Sequence, residues 1–467
     1  MKHKLIGHRY LLPVLFVLAI VLTNCWNAGL QKSSTQLVDY QQDKPLTIWW
    51  NKGHSLQEDE AIEQVVQAWE QQSGIKAELT LYSEEDLIAR IQQALEAGNP
   101  PDVVFNHRLD ETLAPLWAWE GKLADVSDVV KLLEKDYSQS VLESIRYYNQ
   151  KTKRRSYYGV PIKQNTLHFH YWRSLLKEIG LTDQDIPQEW DAFWEFWQQA
   201  QTKLRRRGYP DIYGVGLSMS TRANDSFYAF EQALEAYDVK ILDQQGRLRV
   251  DEPQVRQGLI ETLDWFTSFY TEGYTPPNAI NWVGADNNIN FLNQNILMTL
   301  NTTLSIPGSQ SNDSDIYLNQ IATGELPRKP DGESMTYPVA IKQALIFASA
   351  HHPSTAKDFL AYLVAPQQLS DYLKGNAGRY FPVMPELWSD PFWQNQLDPH
   401  ITAARKQFQE GSTRPLYQSL NIAYSQVESE SVWGAAIKHI VVDGWSPEKA
   451  ADFAITKIKQ IFAQWES

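Results

Sequence analysis

The stretch from Arg90 to Phe105, Arg-Ile-Gln-Gln-Ala-Leu-Glu-Ala-Gly-Asn-Pro-Pro-Asp-Val-Val-Phe, restricts this chain more than any other. Leu87, Ile88, Ile91, Ala94 and Leu95 fall at helical spacing and make one apolar face, so the segment begins as an amphipathic helix. Ser83, three residues before Asp86, is its start signal. Gly98 can take the left-handed conformation that closes a helix, and Pro100 and Pro101 forbid its continuation. Asp102 to Phe105 then reads as a short strand, too apolar on both faces for a surface hairpin. A helix led through a tight corner into a buried parallel strand is one unit of a doubly wound sheet. In open sheets of that kind a ligand lies beyond the carboxyl ends of the strands, here at Asn106 and His107.

The residues upstream repeat the same alternation. Leu46 to Trp50 is a strand ending in the polar turn Asn51-Lys52-Gly53-His54. Ile62, Val65, Val66 and Trp69 mark a helix that stops at Gly74, and Ala77 to Leu81 is the next strand. A βαβαβ start implies parallel strands joined by right-handed crossovers. At 467 residues the chain exceeds what one hydrophobic core supports, which makes two lobes the expectation.

A net charge of −14 argues against nucleic acid, whose phosphates need clustered Lys and Arg. The basic knots Lys151 to Arg155 and Arg205 to Arg207 read as solvated loop ends. Seventeen Trp and twenty-two Tyr are numerous. Most large aromatics fill cores, and the surplus suits a cleft that stacks on a ligand with flat apolar faces.

Residues 1–25 have the pattern of a targeting segment: Lys2, Lys4 and Arg9 make a positive start, and Leu11 to Leu22 is an apolar run short for a membrane span. The reading implies export. Cys25 is the only cysteine, so no internal disulfide is possible. Residues 26–44 are polar and without periodicity, as a flexible tether would be.

No catalytic constellation emerges. The chain holds no phosphate-loop, His-Glu-x-x-His or Gly-x-Ser-x-Gly pattern. Tyr213-Gly214-Val215-Gly216-Leu217 reads as a buried strand without the third glycine of a dinucleotide fingerprint. His168 and His170 share one face of a strand-like segment, with no third ligand evident. Nothing selects a pair of carboxylates for glycoside hydrolysis among 56 acidic residues. No catalytic residue, metal or cofactor is therefore expected.

The run Ala97-Gly98-Asn99-Pro100-Pro101-Asp102-Val103-Val104 after a helix resembles the corresponding segment of the extracellular solute-binding proteins of ABC importers, in the carbohydrate-binding group that includes the maltose and glycerol-phosphate binding proteins. Further matches follow. Trp117, Trp119, Gly121 and Leu123 occupy the family's cleft-edge passage. Tyr157 to Thr166 is similar to its first crossing between lobes, leading to a helix that ends at Gly180-Leu181. Pro187 to Phe193 resembles its "Pro, Thr-Trp-Asp-Glu-Phe" helix start, with Trp190, Phe193, Trp194 and Trp197 assigned to core. Asn290 to Thr303 matches a passage that reaches into the cleft, although Asn301 and Thr302 stand where the family often has a stacking Trp; Trp282 is the candidate replacement. Pro353 to Leu360, Gly378 to Pro382 and Gly444 to Ala450 complete a resemblance that covers nearly all of residues 45–465. Cys25 resembles the lipid-attachment cysteine of bacterial lipoproteins, with Asn24 in place of the usual small residue.

The resemblance implies a two-lobed, Venus-flytrap α/β fold with discontinuous lobes, each a mostly parallel sheet flanked by helices, with hinge crossings near residues 160, 337 and 380. The expected division is residues 45–160 and 338–378 for lobe 1, and 161–337 and 379–467 for lobe 2. It implies a monomer at the periplasmic face of the cell envelope, lipid-anchored through Cys25. Such a protein captures a sugar or polyol and delivers it to a membrane permease served by a separate ATPase, without catalysis. The alternatives are a polyamine or other small-cation receptor, marked by acidic residues converging in the cleft, and an exported glycosidase. The expected ligand contacts are Trp49, Trp50, Asn51, His54, Asn106, His107, Gln164, Asn165, Trp282, Asn301, Arg379 and Tyr380. Each follows a strand or hinge at the expected cleft edge, and together they supply amide, guanidinium and aromatic partners for hydroxyls and C–H faces.

Overall fold

A computed structural model of the protein describes residues 44–465. The targeting segment, Cys25 and the tether up to residue 43 lie outside the described residues. Strands are numbered in chain order: β1 Leu46–Asn51, β2 Ala77–Tyr82, β3 Val103–Phe105, β4 Arg146–Asn149, β5 Arg154–Tyr157, β6 Val160–Asn165, β7 His168–Trp172, β8 Tyr213–Gly216, β9 Ile296–Asn301, β10 Ile321–Gly324, β11 Thr336–Leu345 and β12 Ser412–Pro415.

The opening βαβαβ unit forms as its sequence directs. The Leu56–Ser73 helix buries Ile62, Val65, Val66 and Trp69 and closes on Gly74 at φ 74°. The Glu84–Glu96 helix starts on Ser83, whose hydroxyl accepts from the Asp86 amide at 3.3 Å. Gly98 is left-handed at φ 71°, and β3 follows with all three residues fully buried. Asp102 anchors the start of that strand, accepting from the Thr47 amide and hydroxyl at 3.0 and 2.9 Å and from the His352 amide at 2.7 Å.

The first sheet runs β12-β11-β3-β1-β2, with β6 also paired to β11. β1 is parallel to β2 and β3, and β11 is parallel to β12 but antiparallel to β3 and β6. The second sheet, β10-β7-β9-β8, is not the mostly parallel one expected: β7 runs antiparallel to both its neighbours, and only β8 and β9 are parallel. The reason lies in burial. Every residue of β7 and β9 is buried, and a strand covered on both faces reads as a continuous apolar run whichever way its neighbours point.

Two large apolar cores correspond to the two lobes, and a smaller third cluster draws on Leu87 to Tyr158 with Leu345 and Phe347. One large core gathers side chains from Leu46 to Ile162 and from Val339 to Ala404, with Leu304; the other gathers side chains from Leu167 to Tyr337 and from Leu416 to Phe462, with Ala340. Phe381, Val383, Met384, Leu387, Trp388, Trp393, Ile401 and Ala404 thus pack in the first core, although residues 379–467 were expected in the second lobe. Two backbone hydrogen bonds between Gln164 and Phe381, each 3.0 Å, hold that return segment against β6. Trp190, Phe193, Trp194 and Trp197 line the buried face of the Trp190–Arg207 helix, as their spacing requires. No helix among the described residues is long and apolar enough to cross a membrane.

Candidate functional site

The residues that follow β3 link the two lobes. β3 ends at Phe105, and Asn106 turns the chain: its side-chain amide donates to the Glu84 carbonyl at 2.9 Å and its oxygen accepts from the Arg108 amide at 2.9 Å. The turn sends Arg108, Asp110 and Glu111 toward the Asn224–Ala236 helix, which follows β8 in the other lobe. Glu111 accepts from the Asn224 amide group at 2.7 Å and from the Tyr228 hydroxyl. Arg108 reaches the Asn224 side-chain oxygen at 3.4 Å.

Lys342 on β11 sits beneath this contact and is 3% exposed. Its Nζ lies 2.7 Å from Glu111 Oε1 and 3.2 Å from Asp110 Oδ2. Burial works against its charge, but the two carboxylates outweigh burial and raise the Lys342 pKa. Asp110 shares that lysine with Glu111, and burial together with the Glu111 charge pushes it up. Burial also drives Glu111 upward, yet Lys342, Arg108 and the hydrogen bonds to Lys342 and Tyr228 hold it below the usual carboxylate range.

A cavity of about 170 Å³ adjoins the contact, with Arg108 and Thr112 from one lobe and Asn224, Phe227, Glu428 and Trp433 from the other among its lining residues. Glu428 is 8% exposed, and its Oε1 has no partner among the described residues. Burial first, and the Glu111 charge second, raise its pKa well above the usual value. Asp225 is pushed up to about 7 by the same two causes. The site can therefore accept hydrogen bonds through its carboxylates, donate them through its acids, amides and guanidinium groups, and offer the rings of Phe227 and Trp433. Larger concavities lie elsewhere: one of about 710 Å³ around Trp119 and Asn421, and one of about 1530 Å³ between residues 138–155 and 235–252.

Residues 64–403 match the family model for bacterial extracellular solute-binding proteins. The chain belongs to that family. This solute-binding protein is 20% identical to the multiple sugar-binding protein of Streptococcus mutans, over 92% of this chain and 99% of that one. Its fold is that of an ABC transporter solute-binding protein from Thermotoga lettingae bound with α-D-tagatose, at a TM-score of 0.72, 19% identity and coverage of 90% and 99% of the two chains. It is equally that of a Mycobacterium tuberculosis protein in complex with glycerophosphocholine, at 0.70, 18%, and 91% and 100%. The two-lobed α/β architecture is thus shared.

Within this solute-binding protein the expected contact residues separate into three groups. Asn51, Asn106, His107, Arg379 and Tyr380 assemble at the carboxyl edge of the first sheet. Asn51 accepts from the His107 amide at 3.2 Å, and the His107 ring stacks on Tyr380 at 5.0 Å. Arg379 pairs with Glu58 at 3.1 Å and lies over the Tyr380 ring. His54 is exposed nearby; burial of part of its ring and the Arg379 charge lower its pKa. His107 Nε2 is buried without a partner among the described residues, and burial holds its pKa well below the usual value. Gln164 and Asn165 form the second group, on the crossing strand β6: Gln164 donates to the Pro382 carbonyl at 2.6 Å, and Asn165 Oδ1 is buried without a partner among the described residues.

The third group is placed in packing. Trp50 is 1% exposed, stacked on Phe105 at 4.4 Å and donating to Tyr372. Trp49 points to the other face, edge-on to Tyr82 at 5.4 Å. Trp282 is buried in the second core, with its indole N–H on Asn278. Asn301 braces its own loop, bonding Asn288 at 2.7 Å and the Thr303 amide at 2.9 Å. None of the expected contacts lines the cavity between Arg108 and Glu428.

Arg108, Asp110 and Glu111 are absent from the expected contacts, although they lie within four residues of His107 after the same strand end. The same rule applied after β8 points to Asn224 and Tyr228. Lys342 gave no such signal, because one lysine in a hinge strand is indistinguishable from a surface lysine until its neighbours are known. Of the two histidines of β7, His170 has a local role: it meets the Thr323 hydroxyl at 2.8 Å, which also meets His400 at 2.7 Å. No group of three metal-ligating side chains occurs among the described residues.

Proposed function

We propose that this protein captures a carbohydrate, a sugar or polyol, between its two lobes and delivers it to the transmembrane permease of an ABC importer. The observation that carries the reading is the polar contact between lobes: Glu111 bonds directly to Asn224 and Tyr228, and Arg108 to Asn224, beside a small cavity in whose lining Glu428 Oε1 has no partner among the described residues. Closely set acceptors and donors from both lobes suit a molecule whose hydroxyls do both, beside the ring of Phe227. The sugar-binding relative from Streptococcus mutans supports the same class. Binding without turnover is the expected activity, with a monomer at the periplasmic face of the cell envelope, anchored through a lipid on Cys25.

One observation favours a second reading. Asp110, Glu111, Asp225 and Glu428 converge, the arrangement a receptor for a small cation needs. Lys342 already occupies two of these carboxylates and Arg108 stands beside them, so the site is largely neutralised from within, which favours the neutral ligand.

A thermal-shift screen against mono-, di- and oligosaccharides, polyols and polyamines tests this. A ligand at a hundredfold its dissociation constant adds about 2.7 kcal/mol to the folded state, a readily visible rise in melting temperature. A rise with one sugar class is expected. A rise with spermidine or putrescine alone would replace the sugar reading by the cation receptor.

A further inference from the structure

We infer that the cavity of about 710 Å³ beside the Leu113–Trp119 helix is a second carbohydrate site, separate from the one between Arg108 and Glu428. Thr112, just before that helix, lines the smaller cavity, whereas Trp119 at its end lines the larger. The volume lies within the range of about 300–1,000 Å³ that small-molecule sites occupy. Its walls come from both lobes: Trp119, Tyr148 and Arg155 from the first, Gln418, Asn421 and Trp465 from the second.

Three features specify the ligand chemistry. First, the aromatic wall is open in form. Trp119 lies 5.5 Å from Tyr148 with the rings tilted at 45°, and 5.7 Å from Trp465 with the planes at 88°. All three rings keep part of their surface exposed, so flat faces remain for the C–H face of a sugar ring. Second, the charges of the wall are already engaged. Lys459 pairs with Asp251 at 2.6 Å, and the Arg155 guanidinium donates to the carbonyls of Leu420 and Ser419, which leaves little for an ionic ligand to neutralise. Third, Gln418 is 1% exposed and its Oε1 has no partner among the described residues, an acceptor awaiting a hydroxyl donor. A neutral polyhydroxylated ring satisfies all three.

Gln418 also ties the two cavities together. Its Nε2 donates to Glu428, the acid that lines the smaller cavity, so a hydroxyl bound to Oε1 fixes the amide in the orientation that serves Glu428.

The test combines calorimetry of the full chain with crystals soaked in glucose, maltose or raffinose, one at a time. The expected result is two binding events per chain, with a sugar ring against Trp119 or Trp465 and a hydroxyl on Gln418 Oε1. Trp119→Ala should weaken one event roughly tenfold or more while leaving the other. Trp465→Ala, just after the last helix at the partly exposed margin of the second core, gives the same reading should Trp119→Ala fold poorly. A single event with sugar density only between Arg108 and Glu428 overturns the second site while the proposed function stands. Two events insensitive to both substitutions overturn it as well. Absence of sugar at both places overturns both.

Discussion

Acid should destabilise this protein through His168, and the size of the effect follows from where the ring sits. His168 opens β7 with no exposed surface, 5.3 Å from the Phe381 ring and 6.4 Å from Phe408, and both ring nitrogens lack a hydrogen-bond partner among the described residues. Burial drives its pKa from 6.5 down to about 4. Between those values the unfolded chain takes up a proton that the folded chain refuses, so stability is fully present above pH 6.5 and is lost as pH falls toward 4. At about 1.36 kcal/mol per pH unit, the loss from this residue alone is about 3 kcal/mol. His168→Phe keeps an aromatic ring between the same neighbours and cannot be protonated. Urea unfolding followed by tryptophan fluorescence gives the difference in stability between variant and wild type at each pH. Whatever that difference is at pH 7.5, it should move about 2–3 kcal/mol in favour of the variant by pH 4.5. Parallel pH curves for the two proteins, with equal m-values, would refute the buried neutral histidine.

Other substitutions probe the packing and the lobe contact. Lys342→Met leaves Asp110 and Glu111 buried without their cation, and should cost roughly 3–5 kcal/mol of stability at neutral pH, read from chemical denaturation, with part of the loss recovered as pH falls and the two acids, both raised by the loss of the lysine charge, protonate. Gly159→Ala places a methyl group against the Gln343 side chain, itself 1% exposed and bonded to Tyr147, and should lower stability by about 1–3 kcal/mol in the same assay. Cys25→Ser should abolish incorporation of labelled fatty acid into the protein in cells and release it from the membrane fraction; label retained in the variant would remove Cys25 from the lipidation reading.

How much was legible in the sequence depended on whether a signal was local. The helix carrying Ile62, Val65, Val66 and Trp69 and the one delivering β3 were readable because periodicity, a cap residue and a left-handed glycine agree within one short segment. Strand direction in the second sheet was not, since β9 is covered on both faces and its six buried residues carry no alternation. The placement of Phe381 to Ala404 in the first core was equally hidden: it rests on a bridge between Gln164 and Phe381, more than two hundred positions apart in the chain. Among the site residues, strand alternation allowed one of Trp49 and Trp50 to be core, and Trp50 is the one on Phe105. The lobe contact depends on Glu111, Lys342 and Tyr228, which come from three distant segments, and no spacing rule joins them.

That contact also bounds what a ligand can achieve. Both oxygens of Glu111 already accept hydrogen bonds from the opposite lobe, one from Tyr228 and one from Asn224, and the Lys342 ammonium braces the carboxylate from below. A sugar hydroxyl that binds Glu111 therefore replaces an existing bond and adds only the difference between the two. The gain must come from groups that are still unsatisfied. Glu428 Oε1 is one, and satisfying a buried polar group is worth about 1–3 kcal/mol, more than exchanging one partner for another. Glu428 also sits on the opposite lobe from Arg108, so a ligand that spans the two favours the arrangement in which both can be reached, by as much as its affinity differs between arrangements. Glu428→Leu, which removes the orphan oxygen and leaves Glu111 and its partners in place, should thus weaken ligand binding more than Tyr228→Phe, whose hydroxyl a ligand can substitute. Equal losses in the two variants, measured by calorimetry with the same sugar, would mean that the exchanged bond matters as much as the new one.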